Sequence, residues 1–524
     1  MISRGRGGAT DGSSTRAMIK TAAQYHDQSS YDRHNMGGHR LDWQNQPRVY
    51  KAYPGLDPIP LPRDVRLPDE NLSSLLKKVQ AEDPVRRIDL ADLSLILLLT
   101  CTLTAKTRHG GEDFFYRSVP SAGALYPTET YVALHAIKGI DDGLYHFGIL
   151  HHDLTLLRTG DLSTTIAPLA SPPATKAPQL TFFMTAIFFR SAWKYRNRAY
   201  RYHLLDTGHQ VEHMLLALKA LDLPFSLTYD FDDETVNHLL GLDENREVSL
   251  AVCQVPGDDS VADGVVEEIP DLPEKMIQAS RVSEREIDYP ALRDFHRAGT
   301  DRIGASFQVP EMVHEIGVTP ETWTGIPHPV PWPEVMNHGD TIYNRRSRRN
   351  FVKTPMGKEF MVALLDVLCE SNPESSPESC YDRSICTGFL VGQVEEQVPG
   401  FYLLETAKRV FGYSGSGAFT EMAAHICLDQ AWLTHAAVHF LFFSNPDLLD
   451  ATWGARGYRY ALLMAGRLGE RLYLAATAMG LGCCGIGAFY DWEAAQLLGL
   501  NANAKLLYLV AVGPVKHSTT GQGS

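Results

Sequence analysis

The feature that most constrains this chain is an internal repeat. Residues 198–256 and 456–514 align without a gap at a constant offset of 258 residues. Arg198/Arg456, Tyr200/Tyr458, Arg201/Arg459, Tyr202/Tyr460, Leu204/Leu462, Gly208/Gly466, Glu212/Glu470 and Phe231/Phe489 are identical. Leu239-Leu240-Gly241-Leu242 recurs intact as Leu497-Leu498-Gly499-Leu500, and about 21 of the 59 positions match. A repeat this long means one fold duplicated in one chain. Two-fold pairing is the commonest oligomeric geometry and fusion preserves it, so an intramolecular pseudo-dimer is expected. The 524 residues suit two domains of common size. They divide into a disordered tail (1–24), a first copy with an N-terminal arm (25–256), an acidic Pro-rich linker (257–340) and a second copy (341–524).

Composition excludes several classes of function. A net charge of −14 with no basic stripe argues against a nucleic-acid partner. The most apolar run, Leu93 to Leu99, is far short of the ~20 residues that cross a bilayer and reads as a core helix. The opening MISRGRGGATDGSSTR has no apolar region behind its basic residues and does not read as a secretory signal. The eight cysteines form no CxxC pair, so no metal site is expected and a reducing cytoplasm is the default. His151, His152 and Asp153 read as turn residues.

The two copies have diverged in complementary ways. Copy 1 holds PSAGALYP, Pro120 to Pro127, ahead of an alternating strand. The matching place in copy 2 reads roughly PESCYDRS, Pro377 to Ser384. Copy 2 carries Arg345-Arg346-Ser347-Arg348-Arg349-Asn350-Phe351 ahead of an apolar helix, where copy 1 reads KVQAEDP. Copy 2 has GLGCCGIGAF, Gly480 to Phe489, where copy 1 has DLPFSLTYDF and no glycine. Each copy kept what the other lost, as expected if one ligand site is shared across the interface and its symmetry mate has decayed. Ser121, Ala122 and Gly123 would let backbone lie close to a flat ligand. Arg190, Arg196, Arg198 and Arg201 suggest a basic rim.

These motifs resemble the nitroreductase superfamily of flavoproteins, and more closely its tandem SagB-type (McbC-like) dehydrogenases of azole-modified peptides. The resemblance rests on PSAGALYP, the RRSxR motif, the Lys194-Tyr195 pair before the long helix and an arm with His39, Asp42, Trp43 and Gln46-Pro47. It implies an α+β fold: two fused nitroreductase-like domains, each a mixed, largely antiparallel sheet flanked by helices. It also implies FMN at the interface. The phosphate would meet Arg345, Arg346, Ser347 and Arg349 near a helix start, where guanidinium forks and free N–H groups favour an anion. Pro120, Ser121, Ala122, Gly123 and Leu125 would flank the ring. Gly485, Ile486, Gly487 and Ala488 would bring amides to flavin N5.

Lys194 and Tyr195 would be the catalytic acid–base pair. The implied activity is FMN-dependent oxidation of azoline-type heterocycles in peptides or a related small molecule, with O2 as final acceptor. An NAD(P)H-dependent nitro- or quinone reductase is a second reading, although no GxGxxG signature follows a strand. A flavin-free scaffold in a peptide-modifying complex is a third. Expected partners are the substrate, a cyclodehydratase and a further homodimer copy.

Overall fold

The computed structural model describes residues 18–516 except 37, 39, 81–86, 110, 111, 262–267, 305–310 and 371–378. Readings that fall on 1–17, His39, 81–84 and 377–378 lie outside the described residues. Met18 onward belongs to the body, because the helix Ala22–Gln28 begins inside the stretch read as tail.

Copy 1 contributes β1 (Ile59–Pro60), β2 (Leu103–His109), β3 (Glu112–Arg117), β4 (Thr128–Leu134), β5 (Gly143–Gly148), β6 (Asp153–Thr159), β7 (Lys176–Ile187), β8 (Ser226–Thr228) and β9 (Glu247–Ser260). Copy 2 contributes β10 (Trp323–Gly325), β11 (Cys386–Val391), β12 (Gly400–Glu405), β13 (Val410–Gly415), β14 (Val438–Ser444), β15 (Gly482–Ile486) and β16 (Lys505–Gly513). The first sheet runs β1-β6-β5-β4-β7-β9-β8 and the second β10-β13-β12-β11-β14-β16-β15, the same order strand for strand. β2 and β3 form a separate hairpin. The α+β expectation holds. The ladders described are antiparallel throughout, and parallel contacts are single bridges such as Ser347 with Cys483. The edge strand β10 comes from the stretch read as linker.

Aromatic and β-branched runs make the central strands. β4, β7 and β14 are buried on both faces, or nearly so, because helices cover them. The apolar run read as one strand, LTFFMTAIFF, divides: β7 ends at Ile187, and Phe188 opens the helix Phe188–Tyr195. That break sets Lys194 and Tyr195 on the last turn of a short helix.

Two long helices, Ala199–Ala220 and Arg456–Ala478, form the centre of the molecule and are buried along nearly their whole length. They meet at repeat-equivalent glycines. A Cβ on Gly208 would lie 2.2 Å from the Leu463 carbonyl oxygen, and one on Gly466 would lie 2.3 Å from that of Leu205. Such exchange of equivalent contacts marks an isologous interface.

The same reciprocity governs the ion pairs. Arg198 and Arg201 of copy 1 each approach Asp491 of copy 2 at 2.6 Å. Their equivalents Arg456 and Arg459 clasp Asp233 of copy 1, the latter at 2.5 Å. Arg198 also donates to the Gly487 carbonyl, and Arg456 to that of Tyr229. Buried charges are costly unless paired, so each copy completes the other's core.

These pairings correct one reading. Arg190, Arg198 and Arg201 are no basic rim: all three are buried and committed, Arg190 to Glu129 at 2.5 Å. Of the four arginines, Arg196 alone is exposed.

Candidate functional site

The PSAGALYP segment leaves β3 and forms a 3-10 turn, Ala122–Ala124, before β4. Gly123, Ala124 and Tyr126 have φ of +67°, +54° and +47°. Left-handed backbone at non-glycine positions is strained and persists only where neighbours hold it. Here Tyr126 is held at both ends. Its hydroxyl accepts from the Arg117 amide at 3.2 Å, and its carbonyl accepts from Arg190 Nη1 at 3.0 Å. The turn itself is fastened by Asp206 of the first central helix. Ser121 Oγ donates to Asp206 Oδ2 at 2.6 Å and the Ala122 amide to Oδ1 at 3.3 Å.

The turn delivers Gly123 to the end of the Phe188–Tyr195 helix. A Cβ on Gly123 would lie 2.8 Å from Tyr195 Oη and 3.1 Å from Lys194 Nζ. Lys194 and Tyr195 are each part-exposed. Burial and the nearby Arg349 hold the Lys194 ammonium below its usual range, whereas burial raises the Tyr195 phenol. At neutral pH Tyr195 is therefore a proton donor, and Lys194 is the group more readily made a base. Pro120 and Leu125 are buried beneath the turn, while Ser121, Ala122 and Gly123 reach its surface.

Copy 2 forms the facing wall. Ser347 bridges in parallel to Cys483, which lays the arginine motif along β15. Ser347 Oγ lies 2.9 Å from Tyr473 Oη, and that oxygen accepts the Gly485 amide at 2.6 Å. Arg349 is exposed and acts electrostatically on Lys194, Tyr195 and Cys484. Of the sequence-predicted residues, Arg349 of copy 2 thus lies near enough to Lys194 and Tyr195 of copy 1 to act on both, and these two sit against Gly123.

Three details of that prediction need correction. The arginine motif does not precede a helix. Arg345 caps the end of the helix His338–Asn344, and the apolar helix starts only at Lys358. The chain between is extended, so no helix N-terminus supplies amides there.

Arg345 and Arg346 are also not open forks. Arg345 donates to the carbonyls of Ser118 and Arg117, docking copy 2 against the approach to PSAGALYP, and Arg346 donates to Thr104 at 2.7 Å. Arg345 Nη1 alone stays buried without a hydrogen-bond partner.

Last, Gly485 offers no free amide, and its glycine character serves packing. A Cβ there would fall 1.7 Å from Tyr508 Oη, and one on Gly487 2.5 Å from the Tyr202 ring. Ile486 is buried, and Gly487 and Ala488 are part-exposed beyond it.

The residues present fit a flavin phosphate and ring. Arg349, Arg348 and Ser347 are exposed on one wall, an unpaired guanidinium nitrogen lies behind them, and small residues form the opposite wall.

The two-fold mate of this cleft is closed. In the matching stretch PESCYDRS, Cys380 stands for Gly123 and Tyr381 for Ala124, and at the repeat offset of 258 residues Tyr229 stands for Gly487. The rings of Tyr381 and Tyr229 lie 4.6 Å apart, and Tyr381 packs on Tyr460 at 4.7 Å. Tyr381 Oη accepts from the Tyr229 amide at 3.1 Å. Asp206, which sequence reasoning missed, has Met464 as its equivalent. A carboxylate in one copy where the other carries a thioether was the available signal.

A model of the nitroreductase family matches residues 63–256 and 342–514. The trifolitoxin-processing protein TfxB of Rhizobium leguminosarum bv. trifolii is 34% identical over 169 residues, 30% of this chain and 45% of that protein. The microcin B17-processing protein McbC of Escherichia coli is 26% identical over 148 residues, 27% of this chain and 54% of that protein. The chain thus spans about half the length of these curated relatives. A crystal structure described as a nitroreductase of Anabaena variabilis superposes with a TM-score of 0.73 at 26% identity, covering 95% of this chain and 100% of that one. The two-copy organisation is therefore shared with that protein.

Proposed function

The chain belongs to the nitroreductase family, an oxidoreductase family, and from that premise we propose that it is an FMN-dependent dehydrogenase of azoline-type heterocycles carried on a peptide. The observation that carries this reading is the juxtaposition of Gly123, Lys194 and Tyr195 of copy 1 with the exposed Arg349 of copy 2. Two relatives bear the processing of trifolitoxin and of microcin B17 in their names, which supports a processed peptide as substrate over a nitro compound.

Oxidising an azoline to an azole removes a proton and a hydride from adjacent ring atoms. FMN, when bound, supplies the two-electron acceptor. Lys194 Nζ takes the ring proton, because burial and Arg349 favour its neutral form. Tyr195 stays protonated and orients the heterocycle by donating a hydrogen bond. Arg349 and Ser347 would hold the phosphate, and Ser121, Ala122 and Gly123 would supply the small-residue wall beside the ring. A cyclodehydratase supplies the azoline-bearing peptide.

The test is the visible spectrum and flavin stoichiometry of the purified protein, beside Arg349→Ala. One FMN per chain, weakened in the variant, is the expected result, with azoline-peptide oxidation lost in Lys194→Met. Reduction of the bound flavin by NADPH, with no azoline turnover, would move the reading to a nitro- or quinone reductase. A colourless protein that takes up no added FMN would leave the scaffold role.

A further inference from the structure

Asp206 lies in the first central helix, buried, and among the described residues it forms no ion pair. What faces it is polar but neutral. Ser121 and Ala122 donate to it from the turn, and the Tyr195 and Tyr508 phenols feel its charge from the Phe188–Tyr195 helix and from β16. Burial raises both phenols, and the nearby guanidinium of Arg349 is exposed and acts on Lys194 and Tyr195. With no cation against it, burial pushes the Asp206 carboxyl up to about 7.

The Ser121 hydroxyl, part-exposed on the turn, is the side chain that joins the turn to this carboxyl. It already accepts the Tyr126 amide at 2.9 Å. A serine hydroxyl has one hydrogen to give. While Asp206 is ionised, that hydrogen goes to Oδ2 and none is left for a ligand. When Asp206 is protonated, the 2.6 Å contact can reverse: the acid donates to Oγ, and the serine hydrogen turns outward. Copy 2 has lost this arrangement, since Met464 stands where Asp206 would be.

We propose that Asp206 is a positioning residue that sets the hydrogen-bond polarity of Ser121, so that the turn offers a donor to the bound flavin ring only when Asp206 carries a proton. This rests on the flavin reading above. Flavin binding is then linked to uptake of one proton, and affinity falls as pH rises through neutrality.

The experiment is FMN fluorescence titration at pH 6 and pH 8 for the wild type, Asp206→Asn and Ser121→Ala. One linked proton weakens wild-type binding by up to about tenfold over this interval. The carboxamide introduced by Asp206→Asn donates to Ser121 at every pH, so that variant should stay at the tighter affinity. Ser121→Ala should stay at the weaker one. The phosphate of FMN itself titrates at about pH 6 in every variant, so the difference between variants carries the result.

The same pH dependence in the wild type and Asp206→Asn would overturn the proposal. Infrared difference spectra of the flavin-free protein, wild type minus Asp206→Asn, give a second reading. A protonated-carboxyl band should be present at pH 6 and lost by pH 8, and its absence at pH 6 would also overturn the proposal. A protein that shows the band yet binds no FMN at either pH would sink the flavin reading and leave the Asp206 proton standing.

Discussion

The region around Gly123, Tyr195 and Gly487 and its repeat mate around Tyr381 and Tyr229 share one scaffold and differ in what fills it. Both are bordered by an Arg–Arg–Asp cluster passed between copies and by a tyrosine of a central helix, Tyr202 or Tyr460. In one, glycines stand close against the rings of Tyr195 and Tyr202. In the other, two tyrosine rings pack on each other, bonded through the Tyr229 amide. The mate carries two large rings where the first region carries small residues, while the charged frame stayed, because that frame holds the copies together.

The largest effect should come from breaking the shared frame. Asp491→Ala strands Arg198 and Arg201 in the interior, and Asp233→Ala strands Arg456 and Arg459. Each should cost about 3–5 kcal/mol in chemical denaturation. Only Asp491→Ala should also weaken FMN, because Arg198 steadies the Gly487 carbonyl at 2.9 Å. Equal loss of FMN affinity in both would break the comparison.

Opening the closed site comes next. Tyr381→Ala removes a buried ring and should cost about 3 kcal/mol. It should not create a second flavin site, since the facing wall has no arginine motif. Two FMN per chain in this variant would show that the tyrosine alone closes the site.

The third effect is confined to the open site. Arg349 is exposed, so Arg349→Ala should leave the melting temperature unchanged. It should weaken FMN by roughly tenfold to a hundredfold, the range for losing one charge-assisted hydrogen bond.

The smallest is a shift in pH profile. Lys194 acts as base in its neutral form, so turnover rises with pH through its pKa. Arg349→Ala removes a cation that disfavours the ammonium and should move that rise to higher pH, measured on an azoline peptide.

The repeat made the duplicated topology legible, because matched buried positions over a long span cannot fold in two different ways. PSAGALYP and RRSRR pointed to stretches that the fold brings near one another, with Arg349 acting on the Lys194-Tyr195 pair beside Gly123, since small-residue and cationic runs announce themselves in sequence. Geometry that depends on tertiary contact was not legible. Nothing in RRSRR tells that Arg345 spends its guanidinium on Ser118 and Arg117, 227 and 228 residues away in sequence. Nothing in RNRAYRY tells that Arg198 and Arg201 point inward, because their counter-ion lies in the other copy. Asp206 was hidden in an otherwise ordinary helix, although comparison with Met464 exposes it. The tyrosine pair was partly within reach, since Tyr381 lies in the stretch that matches PSAGALYP and the repeat offset sets Tyr229 opposite Gly487.

The glycine crossing of the two central helices has a consequence for how such a molecule can change. In a dimer of separate identical chains, any substitution appears at both sites at once, and assembly weakens on dilution. Here the partner of each helix is tethered, so its effective concentration is set by chain length and not by expression level. Gly208 meets Gly466 at any dilution, and copy 1 does not pair with a second copy 1 in place of copy 2. Tethering is what allows one cleft to be plugged without silencing the other.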